Sequence, residues 1–133
     1  MILSIDYGTK KFGIALSDEE ESFASSLPLL FVKNDDDALV KLSSIISEKK
    51  VDKVIIGIPL NDDGTHSPFS KHIEKFSDRI KDANPDIDLE TVNEVMTSSF
   101  ARTIAKDAKY KRNNIDGEAA RIMLQEYLDH INL

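Results

Sequence analysis

The segment VDKVIIGIP, residues 51–59, restricts the fold of this chain more than any other segment. Its apolar core, from Val54 to Ile56, has no polar alternation, which is typical of a strand covered on both faces. Residues 34–37 form an acidic cluster of the kind that begins a helix. They precede apolar residues at helical spacing, namely Ala38, Leu39, Leu42, Ile45 and Ile46. A helix that leads into a buried strand predicts a βαβ crossover and hence an α/β fold.

Short apolar runs before this segment predict three more strands. The runs are ILSI, FGIALS and SLPLLFV, and the segments DYGTKK and DEEES separate them. Closely spaced runs with turn residues between them are typical of an antiparallel meander. The later segment IDLETVNE is predicted as a fifth strand.

Further helices are predicted in the second half of the chain. Ser67 and Pro68 form an N-cap followed by proline at the first helical position. The inner stripe of that helix is predicted to be Phe69, His72, Ile73, Phe76 and Ile80. Another helix is predicted from Thr97 or Ser98 to Lys109.

A last helix is predicted after Asn113 or Asn114, either of which could cap it. Its predicted inner face is Ala120, Met123, Leu124, Tyr127, Leu128 and Ile131. Residues 1–133 are therefore predicted to form one domain. We expect an α/β fold with a mixed five-stranded sheet, in which an antiparallel meander is followed by parallel strands, flanked by helices. This is the pattern of an RNase H-like domain.

Composition excludes several kinds of chemistry. The chain has no cysteine, which rules out disulfides and thiolate catalysis. No segment approaches the roughly 20 apolar residues that cross a bilayer, and no signal peptide begins the chain. We therefore expect a cytoplasmic protein without a membrane partner.

The formal net charge of −7 disfavours nonspecific binding to nucleic acid, but the charge is uneven. Residues 102–112 carry one acid and five basic side chains: Arg102, Lys106, Lys109, Lys111 and Arg112. Such a strip could guide a polyanion, or it could be an ordinary solvated helix face.

Three acids stand at the ends of predicted elements. Asp6 closes the first strand, Glu94 closes the last strand, and Asp116 opens the last helix, four residues before Ala120. Carboxylates brought together in this way repel one another unless a cation joins them, and oxygen-only sites suit Mg²⁺ or Mn²⁺. Each acid also has a simpler explanation: a turn residue, an exposed strand end, or a carboxylate that stabilises a helix N-terminus.

Four segments in order, DYGTKKFGIALSD, GIPLNDDGT, NEVMTS and IDGEAARIMLQEYLD, resemble the YqgF/RuvX family over essentially the whole chain. These are small bacterial RNase H-like proteins, described as Holliday junction resolvases and as nucleases that mature the 5′ end of 16S ribosomal RNA. The resemblance implies a metal-dependent nuclease. Its acids would fall on Asp6, Glu94 and Asp116, which would act as catalytic residues and hold one or two Mg²⁺ or Mn²⁺ ions.

The resemblance also implies the partners. Lys10 matches a lysine of the family's first turn, and Lys11 and the basic strip would add contacts to nucleic acid, chiefly through Arg102, Lys109, Lys111 and Arg112. Precursor 16S rRNA is the favoured substrate, with four-way DNA as the alternative. Ribosomal particles are a further expected partner, and the protein is expected to be a monomer or a weak homodimer.

Two readings of a different class remain open. Where the family commonly has Asp-Glu-Arg-Leu-Thr, this chain has residues 93–97 as NEVMT, without the arginine, which favours a nucleic-acid- or ribosome-binding factor that does not cleave. The D-x-G-T pattern at Asp6 also occurs in actin-like nucleotide-binding proteins, although those need a second, duplicated half.

Overall fold

The computed structural model describes the backbone of residues 1–93 and 112–133 and the side chains of residues 1–93 and 118–133. The predicted helix from Thr97 or Ser98 to Lys109 lies outside the described residues. The elements in chain order are β1 (Ile2–Asp6), β2 (Lys11–Ser17), β3 (Ala24–Ser26), β4 (Leu30–Phe31), α1 (Asp35–Glu48), β5 (Lys53–Ile58), α2 (Pro68–Ala83), β6 (Asp88–Asn93) and α3 (Arg112–Ile131).

One mixed sheet has the strand order β3-β2-β1-β5-β6, with β4 also paired to β2. Strand β1 runs antiparallel to β2 and parallel to β5, and β5 runs parallel to β6. The predicted meander followed by parallel strands is confirmed. The third apolar run forms two short strands, β3 and β4, so that the sheet has six strands where five were predicted. Pro28 lies between them, where its missing N–H could not join a ladder.

Helices cover the two faces of the sheet, and the alternation along β1 shows which residues belong to which face. Leu3 and Ile5 lie in a core with α1 and α2. Ile2 lies in a second core with α3, and Ser4 donates a hydrogen bond to an α3 carbonyl. Residues with even numbers in β1 therefore face α3.

The predicted helix starts are largely confirmed. Asn34 caps α1 by accepting the N–H of Asp37 at 2.8 Å, and Ser67 caps α2 by accepting the N–H of Ser70 at 3.1 Å. Helix α3 begins earlier than predicted, at Arg112, so that Asn113 and Asn114 lie within it.

Three residues predicted on inner helix faces are exposed because they lie toward helix ends, where the helical stripe runs past the sheet. Phe69 is 43% exposed, Ile131 is 47% exposed, and His72 is also exposed.

Candidate active site

Asp6 is the last residue of β1, as predicted, and its position defines the face of the candidate site. It follows Ile2 and Ser4 in the alternation, so its side chain belongs to the face that α3 covers. The Asp6 side chain is half-buried. A carboxylate therefore stands at the carboxyl end of a central strand, on the same side of the sheet as the last helix.

Glycine lies beside Asp6 on both neighbouring strands. Gly13 of β2 pairs directly with Asp6, and Gly57 of β5 follows Ile56, the partner of Ile5. The residues adjoining each glycine lie in the core beneath α1 and α2, so both glycines belong to the α3 face. Neither of these two adjacent positions therefore adds a side chain beside the Asp6 carboxylate. Sequence reasoning did not identify this pair, although alternation within β2 and β5 could have indicated it.

The turn after Asp6 forms the wall of a cleft of about 320 Å³. Residues 6–11, Gly13 and Phe31 line this cleft, which thus holds Lys10 and Lys11 as well as Asp6. A Cβ on Gly8 would lie 2.0 Å from the carbonyl oxygen of Lys11. A glycine at position 8 therefore makes room for the turn's own backbone.

Tyr7 anchors the base of this turn through a network that sequence reasoning missed. Its hydroxyl donates to Asp35 Oδ1 at 2.6 Å, and His72 Nε2 lies 2.8 Å from both that hydroxyl and Asp35 Oδ2. Burial, and then the Asp35 carboxylate, raise the pKa of Tyr7 far above its ordinary value. The three side chains tie the end of β1 to the first turns of α1 and α2.

Helix α3 runs opposite to β1, and this orients its first half toward Asp6. Ser4 Oγ donates to the carbonyl of Ala120 at 2.8 Å. Two turns further along the helix, Tyr127 lies beneath Lys53, which pairs with Ile2 at the start of β1. Position 116 is one turn before Ala120, about 6 Å along the axis, and Asp6 is about 7 Å beyond Ser4 in the same direction.

The carboxyl end of β6 lies at the same edge of the sheet as Asp6. Strands β1, β5 and β6 are parallel, so their carboxyl ends lie together, and β6 ends at Asn93 opposite Ile58. Glu94, the residue after Asn93, lies outside the described residues. Val92 packs against the core that α3 covers, so this residue lies on the α3 face of β6.

Most of the other predicted site residues lie outside the side chains that the structure describes. Arg102, Lys106, Lys109 and Lys111 lie outside the described residues, and Asp116 and Arg112 are described only in their backbone. Among the side chains that the structure does describe, no three His, Cys, Asp or Glu residues lie close enough to share a metal ion. The three-acid metal site remains a prediction.

Solved structures with this arrangement of strands and helices show which fold the chain has. RuvC from T. thermophilus, in complex with a Holliday junction substrate, aligns with a TM-score of 0.59 at 11% identity and covers 98% of this chain and 96% of its own. Fowlpox virus resolvase, in complex with Holliday junction DNA, aligns with a TM-score of 0.53 at 18% identity, covering 98% and 97%. The chain therefore has the RNase H-like fold of these resolvases.

The chain belongs to the RuvX family, because the family model described as "Holliday junction resolvase" matches residues 1–130. A relative from Sulfurihydrogenibium sp. (strain YO3AOP1) is 34% identical over 134 residues, covering 98% of this chain and 91% of the relative. One from Flavobacterium psychrophilum is 38% identical over 133 residues, covering 96% and 95%. Both carry the name "Putative pre-16S rRNA nuclease". The family resemblance seen in the sequence is confirmed.

Within residues 1–93 and 112–133, no helix combines the length and the apolar character that a membrane span requires.

Proposed function

We propose that this protein is a metal-dependent nuclease that hydrolyses a phosphodiester bond at the edge of the sheet where Asp6 lies. The observation that carries the proposal is the setting of Asp6: a half-buried carboxylate with a glycine on each neighbouring strand, at one end of a cleft that also holds Lys10 and Lys11. A bound phosphate or cation must approach the carboxylate closely, and neither glycine adds a side chain beside it on the α3 face.

A divalent cation fits the chemistry of this site. Carboxylate oxygens are the ligands that Mg²⁺ and Mn²⁺ prefer, and Asp6, Glu94 and Asp116 are the residues that would hold one or two such ions. The register of the parallel strands and the direction of α3 support this set, because both lead toward the edge where Asp6 lies. A bound ion would supply Lewis-acid chemistry, activating a water molecule and stabilising the charge that develops on the phosphate.

The lysines of the turn would position the substrate. Lys10 is exposed and Lys11 is half-buried, and both line the cleft beside Asp6. Their ammonium groups would hold phosphates of the backbone and so bring one linkage to the carboxylate. Neither lysine distinguishes RNA from DNA, since phosphate contacts carry no base information.

Precursor 16S rRNA is the substrate that we favour, because the curated relatives with 34% and 38% identity are named for it. A four-way DNA junction is the second candidate, because the matching family model is described by that activity. Cleavage of precursor 16S rRNA would take place in ribosomal particles.

The test incubates the protein with end-labelled precursor 16S rRNA and with a labelled four-way DNA junction, each with and without Mn²⁺. We expect metal-dependent cleavage of the RNA. Asp6→Asn should reduce the rate at least roughly a hundredfold, because even the hydrogen-bond partners of metal ligands typically matter 10–100-fold.

Asp52→Asn is the matched control, because it makes the same change in a carboxylate that lies at the other end of the sheet, 3.2 Å from the N-terminal amine. It should cleave like the wild type. Cleavage by Asp6→Asn at the wild-type rate, or undiminished cleavage in a metal chelator, would contradict the proposal.

A further inference from the structure

Phe31 is a large aromatic side chain held in the open beside the candidate site. It is 60% exposed and belongs to β4, a two-residue strand paired with the start of β2. Its backbone is well anchored: Val32 is buried and donates its N–H to the carbonyl of Lys10 at 2.9 Å, and Lys41 donates to the carbonyl of Phe31 at 2.8 Å. The ring is therefore presented to solvent from a fixed backbone.

The Phe31 ring shares its cleft with the groups that would bind phosphate. Lys11 is the strand partner of Phe31, and Lys10 and Asp6 line the same cleft. Lys33 lies two residues further along the chain and is exposed. Lys41, which donates to the Phe31 carbonyl, also contacts Asp37 at 3.1 Å. Four lysines are thus close to Phe31 along the chain, the strand ladder or the cleft, in a chain with a net charge of −7.

We propose that Phe31 stacks on an unpaired nucleobase while Lys10 and Lys11 hold the phosphates on either side of that nucleotide. An exposed aromatic ring next to cations is the combination with which proteins bind single strands, because every base has a π-face and every linkage has a charge. A base within a continuous duplex keeps both faces covered by its neighbours and cannot reach the ring. The substrate is therefore single-stranded, or opened, at the nucleotide next to Asp6.

This inference gives the substrate class of the proposed nuclease, and for its role in cleavage it rests on that proposal. The binding itself needs neither the metal nor the reaction. It can therefore be measured in a chelator, where the nuclease does not act.

The first experiment measures binding at low salt in EDTA by fluorescence anisotropy, with a labelled single-stranded RNA, its DNA counterpart and the blunt duplex of the same sequence. Phe31→Ala should bind both single strands between about fivefold and a hundredfold more weakly, the effect of removing one base–aromatic stack. Its affinity for the duplex should not change. The affinities for the RNA and the DNA strand show whether the site around Phe31 distinguishes ribose from deoxyribose.

Phe23→Ala is the matched control. Phe23 is 70% exposed, and it follows the end of β2 opposite to Lys11, so it lies away from the cleft. Its replacement should leave all three affinities unchanged.

A second variant keeps the ring and reports on stacking directly. The chain contains no tryptophan, so Phe31→Trp introduces a single indole fluorophore at position 31. The variant should retain single-strand affinity, and its fluorescence should be quenched by the single strands and not by the duplex.

The inference would be overturned if the wild type showed no measurable binding to single strands, or if Phe31→Ala lost as much affinity for the duplex as for the single strands. It would also be overturned if Phe23→Ala lost as much single-strand affinity as Phe31→Ala, or if no single strand quenched the fluorescence of Phe31→Trp. If Phe31-dependent binding is found but no substrate is cleaved, the nuclease proposal fails and the proposal that Phe31 stacks on a base is retained. If cleavage depends on Asp6 while Phe31→Ala binds and cleaves like the wild type, the nuclease proposal is retained and the proposal that Phe31 stacks on a base fails.

Discussion

Replacing Tyr7 with phenylalanine removes one hydroxyl and leaves the ring in its packing. That ring lies with its centroid 4.8 Å from the Phe12 ring and 5.4 Å from the Phe76 ring, and only 7% of the residue is exposed. What is lost is the hydrogen bond to the Asp35 carboxylate at 2.6 Å. Asp35 keeps its contact with His72 at 2.8 Å, so no polar group is left wholly without a partner.

The expected cost at neutral pH follows from these contacts. A hydrogen bond to a charged group contributes about 1.5–3 kcal/mol, and we expect the lower part of that range because Asp35 is only partly buried and keeps His72. With an unfolding entropy of about 2.1 cal/mol/K per residue, 1.5–2 kcal/mol corresponds to a lowering of Tm by about 5–7 °C in a chain of this length.

The cost should depend on pH, with a definite sign. The pKa of Tyr7 is raised in the folded protein from an ordinary value of 10.0, because burial and the Asp35 carboxylate both disfavour the phenolate. The stabilisation by Tyr7 is therefore complete below pH 10 and is lost as the pH rises above it, by about 1.4 kcal/mol per pH unit. By about pH 11 the wild type should have lost most of its advantage over Tyr7→Phe.

Urea unfolding followed by circular dichroism, from about pH 7 to about pH 11, measures the difference between the two proteins. Other tyrosines and lysines titrate in both and cancel. Asp35→Asn is the comparison variant: it removes the charge but keeps the buried phenol, and because burial is the larger cause of the raised pKa, its stability should still decline above pH 10. A wild-type advantage that stays constant over the whole pH range, or none at neutral pH, would refute the reasoning.

Two further predictions concern the turn and the far end of the sheet. Gly8→Ala should cost roughly 2–3 kcal/mol in urea unfolding, because the added Cβ would lie 2.0 Å from the carbonyl oxygen of Lys11, and only a backbone shift can relieve that overlap; wild-type stability would contradict it. Glu90→Gln should cost less than about 1 kcal/mol at neutral pH, because the Lys53–Glu90 ion pair at 3.1 Å is half exposed. Lys53, and then Tyr127, lower the pKa of Glu90 from 4.5, so the stability difference between Glu90→Gln and the wild type should vanish as the pH falls below that value. Thermal unfolding at several pH values measures this difference, and a difference that persists at low pH would contradict the prediction.

Local sequence patterns were sufficient for the elements that place Asp6. The apolar run before it and the run VDKVIIGIP predicted two strands, the second covered on both faces, and the structure pairs these strands in parallel with Ile5 opposite Ile56. The helix caps at Asn34 and Ser67 were equally local, because a cap is decided by a side chain and an N–H three residues apart.

The Tyr7 network could not be predicted in the same way, because its members are 28 and 65 residues apart in the chain and meet only through the packing of β1, α1 and α2. Helical periodicity placed His72 on the side of α2 that faces the sheet. It could not show that this position reaches the open edge, where the imidazole finds Tyr7 and Asp35 instead of the core. Pairing at an edge depends on where helices end relative to strands, and periodicity contains no information about that.

The glycines beside Asp6 bring the fold and the proposed chemistry together. A glycine within a strand costs roughly 0.5–1 kcal/mol in backbone entropy and contributes no side chain to the core, so two of them on neighbouring strands, Gly13 and Gly57, weaken the sheet in one place. That place is the row on the α3 face where β1 ends in a carboxylate. Elsewhere on this face the strands present Ile2, Ala15 and Ile55 to α3. Two strand glycines beside a half-buried carboxylate have the energetic pattern of a site for a bound group, because natural sequences break local rules for stability chiefly where function requires it.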